Sequence, residues 1–417
     1  LASTEAAHAY HRERDRRFEA DERRLQGRVC QRREIVSDGV DVGEAEHVSR
    51  RDPQQVPVLP ALECVLAFRP LGPPRRSSDG STEWQCDHGA QYFTARDTHF
   101  RAQVAEWEHA GAAALWQGRI GTHDGQRFVL HDSALQRFVG TPRMTSPAAH
   151  LVRHMEQLPQ PVRFQWQTTV QPLQAQAGAG WQLHSPEHGP EAQRYQAVLL
   201  AVPAPQAAPL LEAVTPEAAT LARSAPMRAC WSVMVRCPQP VPLPVDGCFV
   251  EHSPLRWIAR DSSKPGRSGP ETWLLHASHG WSEAHVHDAA TAVTTALLQA
   301  FAQLGGPDPA SVQATAHRWL YADTAPPLNV DGWWQPETGL GLCGDWLHNG
   351  TVEGAWLSGR HLAQRVHTTL ATRTASITPQ DTGRPPCTAN PTCPKSPASA
   401  AAAPSPGAKN GPRYGTR

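Results

Sequence analysis

"GLCGDWLHNGTVEGAWLSG", residues 341 to 359, packs five glycines and an Asp-Trp pair into nineteen positions. The apolar run "GLGLC" that overlaps its start reads as a strand, and Asp345 follows Gly344 where that strand would end. From about Thr351 or Val352, the apolar positions Ala355, Leu357, Leu362 and Val366 predict a helix. Glycine and alanine in its first turn remove the side-chain wall, so an anion or a flat ring edge can approach unpaired N–H groups at the positive end of the helix dipole. The Asp345 carboxylate, on the preceding loop, can accept hydrogen bonds from ribose or sugar-alcohol hydroxyls. Gly350, Gly354 and Gly359 fit equally well a helix packed closely on a strand, and the pattern alone leaves both readings open.

Outward from this stretch, the chain divides into three unlike segments. Residues 1 to 78 are dense in mixed charge ("HRERDRRFEADERRLQGRVCQRRE") and then punctuated by proline, with one short apolar run at Leu62 to Phe68. Residues 79 to 370 alternate strand-like and helix-like patterns. Residues 371 to 417, clearest from Thr374, are rich in Ala, Pro, Ser and Thr without periodicity; such a composition does not offset the entropy of ordering, and a disordered tail is expected.

Within the middle segment, "VRFQWQTTVQPLQAQAGAGWQLH" (162–184) shows two alternating runs around a Gly-rich turn and predicts a β-hairpin. Ala197 to Val202 is apolar at every position and is stopped by Pro203, as in a strand buried inside a helix-covered parallel sheet. "CWSVMVRC" and "ETWLLHAS" read as further strands. "DAATAVTTALLQAFAQLG" reads as an amphipathic helix with Asp288 near its N-cap and Gly305 at its end. The mixture is α/β with an antiparallel component.

The 417 residues carry 39 basic and 39 acidic side chains, so no global field draws the chain to nucleic acid or to an anionic membrane. Lysine occurs only at Lys264, Lys395 and Lys409, against a large excess of arginine, which reads as GC-rich coding. The nine cysteines are scattered, with no CxxC pair and no metal-like Cys/His spacing, so neither a metal site nor a disulfide framework is expected. The odd, unpatterned cysteine set suggests reduced thiols in a cytoplasmic protein, and the charged start and an apolar maximum broken by prolines at "VLLAVPAPQAAPLL" lead one to expect neither an export signal nor a membrane span.

The residues also carry a resemblance. "GDW...GTVEGAWLSGRHLA" resembles the C-terminal flavin-binding motif of the FAD-dependent amine oxidase superfamily, and in detail that of renalase-like oxidoreductases. "CDHGAQYFTARDTHF" (86–100), "TTVQPLQAQAGAGWQL", "AVLLAVPAPQAAPLL" and "AHRWLYADTAPP" resemble further blocks of the same proteins in the same chain order. The resemblance implies an FAD-binding two-domain fold, a Rossmann-like flavin domain with an antiparallel-sheet substrate domain. It implies that Asp345, after Gly344, binds the ribityl or phosphate end of FAD, and that Val352, Glu353, Gly354 and Ala355 set backbone N–H groups against the pyrimidine edge. Gly89, Ala90 and Gln91 would line the isoalloxazine, and Val170, at a strand end, would contact the adenine through its backbone. For each, a turn or core role is the alternative.

The same family would open with a strand and GxGxxG before "DHGAQYF", gripping the FAD pyrophosphate through backbone approach at a helix N-terminus. The glycines before Gly89 are Gly27, Gly39, Gly43, Gly72 and Gly80, and no combination gives that motif. The family-like register resumes near Arg75 to Gly80, and the stretch before it resembles GC-rich DNA read out of frame. Residues 1 to about 75 are therefore read as a frameshifted or mispredicted version of the missing unit, with FAD binding expected to be weak.

What the resemblance implies chemically is hydride transfer to flavin N5 from a reduced nicotinamide dinucleotide isomer, or from an amine-like small molecule, with O2 as acceptor and H2O2 as product. Trp257, Trp273, Trp281, Trp319, Tyr321, Trp334 and Trp346 are candidates for an aromatic substrate wall, Trp319 and Trp346 above all, each with a core role as the alternative. "HRWLYA" would set His317, Trp319 and Tyr321 on one face of a strand and Arg318 and Leu320 on the other, without saying which face meets substrate. No acid/base pair stands out, so no catalytic residue is named.

Overall fold

The computed structural model describes residues 64–66, 84–159, 162–174 and 180–377. Most of the charged and proline-rich segment and the residues after 377 lie outside the described residues.

In the first part of the described chain lie β1 (Cys64–Leu66), α1 (Thr98–His109), β2 (Ala113–Leu115), β3 (Ile120–His123), β4 (Phe128–Leu130), β5 (Phe138–Gly140) and α2 (Ser146–Glu156). Next come β6 (Trp181–Ser185), β7 (Gly189–Tyr195), β8 (Ala197–Leu200), α3 (Ala204–Leu211), α4 (Pro216–Arg223), β9 (Met227–Arg236), β10 (Gly247–Val250) and β11 (Leu255–Arg260). The last part carries β12 (Thr272–Ala277), α5 (His279–Ala284), α6 (Ala290–Gln303), β13 (Gln313–Thr324), β14 (Trp333–Gln335), β15 (Leu340–Leu342) and α7 (Val352–Ile377).

Two larger sheets organise the fold, as expected for mixed α/β. The first has the order β1-β8-β15-β14, with β1, β8 and β15 parallel and β14 antiparallel at the edge. Its faces are covered by helices, which is why β8 is apolar throughout. Ala197 and Leu199 pack with Leu362, Val366 and Leu370 of α7. Val198, Leu200, Leu340 and Leu342 pack against the alanine-rich α3 and α4. A Cβ on Gly341 would come within 2.8 Å of Leu362 and 2.9 Å of Leu199, so this glycine is what brings α7 onto the sheet. Close packing is therefore the role of Gly341, and not of Gly359, whose Cβ would meet nothing within 4 Å.

The second sheet has seven strands in the order β13-β9-β12-β11-β10-β3-β4, antiparallel except for the parallel pair β10 and β3. Helix α6 covers one face, placing Val293, Leu297 and Phe301 against Trp231, Val233, Val235, Trp273 and Leu275. It starts at Ala290, with Ala289 and not Asp288 as its N-cap, and it ends before Gly305, whose φ of +88° is the left-handed turn expected there. Among the described residues no helix is long and apolar enough to cross a membrane.

The expected hairpin over 162–184 forms with a different partner. Only its second run becomes a strand, β6, and it pairs forward with β7 across the "PEHG" turn. The first run makes no strand in 162–174 and is joined to β6 by a single backbone bond, Gln171 N–H to His184 O at 2.9 Å. The Ser185 hydroxyl accepts from His188 N–H at 2.9 Å, and Gly189 has φ of +74°, so the tighter turn lies after β6.

Candidate functional site

The segment Cys86 to Asp97 runs between the seven-stranded sheet and the first turn of α7 and is bonded to both. Toward the sheet, the indole N–H of Trp319 donates to His88 O at 2.8 Å, and the rings of His88 and Trp319 stack with centroids 5.3 Å apart. The ring of His317 meets both edge-on, and His276 Nε2 lies 3.3 Å from His88 O. Burial pushes the His276 imidazole down to about 3, with the nearby Arg256 charge adding to it, so this ring is neutral. A Cβ at Gly89 would rest 3.6 Å from the Trp319 ring. Toward the helix, Glu353 Oε1 accepts from the N–H groups of Arg96 and Asp97, both at 2.7 Å. Asp97 in turn caps α1.

Alternation in "HRWLYA" is resolved by the register. His317 pairs with Ser232 and Trp319 with Cys230, on the face away from α6, whereas Ala314 and Ala316 pack with the α6 side. A bulge between Trp319 and Asp323 then ends the alternation, leaving Leu320 and Tyr321 exposed. Past the bulge, Asp323 pairs with Arg228 at 2.8 Å, and His279 Nε2 lies 3.0 Å from its carboxylate. Burial raises the Asp323 carboxyl, but His279, Arg228 and Arg256 outweigh that and hold it well below the usual range.

The far end of β13 returns to the glycine-rich loop. Gly350 has φ of +69°, a left-handed conformation that glycine adopts without strain, and a Cβ there would rest 3.4 Å from Thr324. Asp345 opens a 3-10 turn, with Gly350 N–H bonded to its carbonyl at 2.9 Å. Burial pushes its carboxyl up; the Trp346 N–H opposes this and the Asp323 charge adds to it. Gly354 lies close against its own loop: a Cβ there would fall 2.0 Å from Asn349 Oδ1 and 3.2 Å from the Asn349 backbone nitrogen, so Asn349 would have to shift. Its N–H is held by Thr351 Oγ1 at 3.0 Å. The N–H groups of Val352 and Glu353 have no hydrogen-bond acceptor among the described residues, as the first turn of a helix leaves them.

The structure thus brings Gly89, Ala90, Gln91, Trp319, Gly344, Asp345, Val352, Glu353, Gly354 and Ala355 onto segments bonded or packed to one another. Val170 is placed elsewhere, at no strand end, half-buried against the cluster around Val198 and Leu200. Trp346 is a correction: it is 1 % exposed and gives its indole N–H to Val202 O at 3.0 Å. The sheet and α3 close over it, so it packs the core and forms no substrate wall. Trp273, Trp257 and Trp334 are likewise core residues.

One cluster was not anticipated. Lys264 is wholly buried, with Nζ 2.7 Å from Asp261 Oδ1, 3.0 Å from Gln91 Oε1 and 3.8 Å from Asp87 Oδ2. Gln91 uses its amide N–H groups to bind Asp87 O and Gly89 O, at 2.9 and 3.1 Å. Arg267 pairs with Asp87, and Asp87 N–H donates to Asp261 at 3.2 Å. Burial raises the Asp261 carboxyl and Lys264 opposes that. The cluster clamps the Asp87 to Gln91 loop from behind. Its signal in the sequence was Lys264 itself, alone of its type before Lys395.

A helix-sandwiched parallel sheet thus feeds a glycine loop and a helix N-terminus, and it is set against an antiparallel sheet with an aromatic and histidine face. Residues 76–367 match the family model described as flavin containing amine oxidoreductase, and the chain belongs to that family, whose cofactor is FAD. Solved structures similar to it include a candidate protoporphyrinogen oxidase from Exiguobacterium sp. 255-15, at 16 % identity and a TM-score of 0.44 over 56 % of this chain and 53 % of that one. An oxidoreductase from Methanosarcina mazei matches at 11 % identity and a TM-score of 0.42, over 55 % and 56 %. Cyclohexylamine oxidase from Brevibacterium oxydans IH-35A matches at 14 % identity and a TM-score of 0.41, over 55 % and 52 %. The chain spans about half the length of these structures.

Proposed function

We propose that the chain is a renalase-like FAD-dependent oxidoreductase, taking hydride from a reduced nicotinamide dinucleotide isomer, with O2 as acceptor and H2O2 as product. The observation that carries this reading is the junction of the Gly89 loop with Trp319 on one side and, through Glu353, with the first turn of α7 on the other.

Bound FAD supplies the hydride acceptor, and the protein's share is to hold, orient and exclude water. In this reading the open N–H groups of Val352 and Glu353 meet the pyrimidine edge, while Ala355 and Gly354 leave the approach clear. Asp345 is half-buried, its carboxyl is raised, and it has no cationic partner among the described residues, which suits hydroxyls of the ribityl chain. Gly89, Ala90 and Gln91 line the ring, and the Lys264 cluster fixes them. Val170 offers its backbone to the adenine. Trp319 forms the substrate wall. His276, whose pKa is pushed down to about 3, is a weak proton acceptor at neutral pH, which suits a hydride donor that needs little proton chemistry.

In this reading the phosphate grip carried by residues 1–417 is weak. GxGxxG is absent before Gly89, and the family match starts at residue 76. Residues 1 to about 75 are read as that unit out of frame, and sequencing of the 5′ coding region decides it: a confirmed frame with no GxGxxG in either alternative frame overturns the idea. FAD is expected to be lost on purification, giving a colourless protein; stoichiometric yellow FAD overturns weak binding. The family match itself favours a second reading, oxidation of a small amine. Peroxide release after FAD is added back separates them. Turnover of dihydronicotinamide isomers supports the first, turnover of amines alone supports the second, and no turnover of either makes the chain a non-catalytic remnant.

A further inference from the structure

Beside the flavin motif, and outside the set of residues assigned above, three metal-ligating side chains converge. Asp331 precedes β14, His348 follows the 3-10 turn that Asp345 opens, and His361 stands on α7. One ligand atom of each lies within 4.8 Å of the other two. We propose that Asp331, His348 and His361 form a binding site for a divalent transition-metal ion of borderline softness, with Zn2+ as the type.

The geometry favours a shared ion over direct pairing. His348 Nε2 lies 3.7 Å and His361 Nδ1 3.5 Å from the same oxygen, Asp331 Oδ1. Both distances are too long for hydrogen bonds. They are close to the edge of a tetrahedron around an ion with ligand bonds near 2.0–2.1 Å, which is roughly 3.3 Å. His361 Nδ1 is closed off from solvent and has no hydrogen-bond partner, so the atom aimed at the carboxylate is left unsatisfied within the protein. His348 turns Nε2 toward Asp331, and its Nδ1 is closed off from solvent without a hydrogen-bond partner. Two imidazoles and one carboxylate are a donor set for Zn2+, Ni2+, Co2+ or Cu2+ and not for Ca2+ or Mg2+, which want oxygen.

The scaffold holds the three positions independently of any ion. Val330 N–H is bonded to Leu347 O at 2.6 Å, and Leu328 N–H to Trp346 O at 3.0 Å, so the segment before Asp331 runs beside the turn that leads to His348. Arg365, one turn beyond His361, donates to Gly332 O at 3.4 Å. Asp331 is exposed, with 71 % of its side chain accessible, so an ion can enter from solvent and close the site by a rotamer change of that one residue. A bound ion would tie the Asp345 loop to α7 from outside.

The experiment is titration of the 417-residue chain, purified and chelator-treated, with Zn2+ in competition with a chromophoric chelator, for wild type, Asp331→Asn, His348→Ala and His361→Ala. One Zn2+ per chain is expected, with affinity reduced at least about tenfold by each substitution. A Zn2+-dependent rise in Tm present in wild type and absent in Asp331→Asn is expected alongside. Asp331→Asn changes an exposed surface carboxylate and keeps the test decisive if a histidine variant fails to fold. Absence of a one-to-one site, or Zn2+ affinity unchanged in Asp331→Asn and His348→Ala, overturns the proposal; the latter would place the ion on thiols or other histidines. The titration needs no flavin, so its failure leaves the oxidoreductase reading where it stands.

Discussion

The two faces of the seven-stranded sheet are built by the same strands, one residue out of phase, and they have opposite chemistry. On β9, Trp231, Val233 and Val235 point to α6, while Cys230, Ser232 and Met234 point away. On β12 the split is Trp273, Leu275 and Ala277 against Thr272, Leu274 and His276, and on β13 it is Ala314 and Ala316 against His317 and Trp319. The α6 face is packed with apolar partners along β9 and β12, with Arg318 capping Trp231 at the β13 edge. The other face holds the Asp87 to Gln91 loop through two hydrogen bonds to His88 O, from Trp319 at 2.8 Å and from His276 at 3.3 Å, with the His317 ring edge-on to His88. Strand alternation lets one sheet devote a face to packing and a face to positioning. The difference predicts that substitutions on the first cost stability and those on the second change a local arrangement.

The largest effect expected is on the packed face. Phe301 is fully buried on α6, its ring centroid 5.3 Å from that of Trp273. Phe301→Ala should destabilise the fold by about 3–5 kcal/mol, through lost burial and the cavity left behind. Urea unfolding checks it; a cost below about 1 kcal/mol would mean that the α6 face is not the principal core.

On the opposite face, His276 should make stability fall with acid. Its folded pKa is pushed down to about 3 by burial, whereas the unfolded chain takes up the proton near 6.5. Between those values the unfolded state binds one more proton, so stability rises with pH and is lost as pH falls from 6.5 toward 3. The slope from this residue alone is up to about 1.4 kcal/mol per pH unit. His276→Gln should flatten the dependence measured by urea midpoints at pH 7, 6 and 5, while Phe301→Ala should lower the curve without changing its slope. An unchanged slope in His276→Gln would show that the ring is not held neutral.

What was legible in the sequence followed from local pattern. β8 was clear because both its faces are covered, and α7 because its apolar spacing runs on after the glycine loop. The hairpin failed where two turns competed: the Gly-rich 177–180 stretch and the "PEHG" turn both fit, and strand pairing chose the second. The face carried by Trp319 was not legible, because alternation names two faces without saying which one a helix will cover. Its bulge has no residue signature. The Lys264 clamp depends on Gln91, 173 positions away, and on Asp87, and no spacing rule links residues so distant. Trp346 misled because an Asp-Trp pair beside a site looks the same in sequence whether the indole faces ligand or core.

The smallest effect on stability is expected from Trp319→Phe, and it tests the comparison most directly. Phenylalanine keeps an aromatic ring where the indole stacks on His88, and it removes one hydrogen bond, that from Nε1 to His88 O. The net cost of such a bond is about 0.5–1.5 kcal/mol. Its consequence should be local: His88 O loses its shorter bond and keeps the longer contact with His276, so the amides of Gly89, Ala90 and Gln91 should exchange faster with deuterium. Amides of Val293 to Phe301 on α6 should exchange as in the wild type, since the packed face loses no contact. Equal acceleration on both sides would mean that the faces open together and that the loop has no positioning of its own. Acceleration confined to the loop would show that Trp319 holds in place the segment that Lys264 clamps from behind.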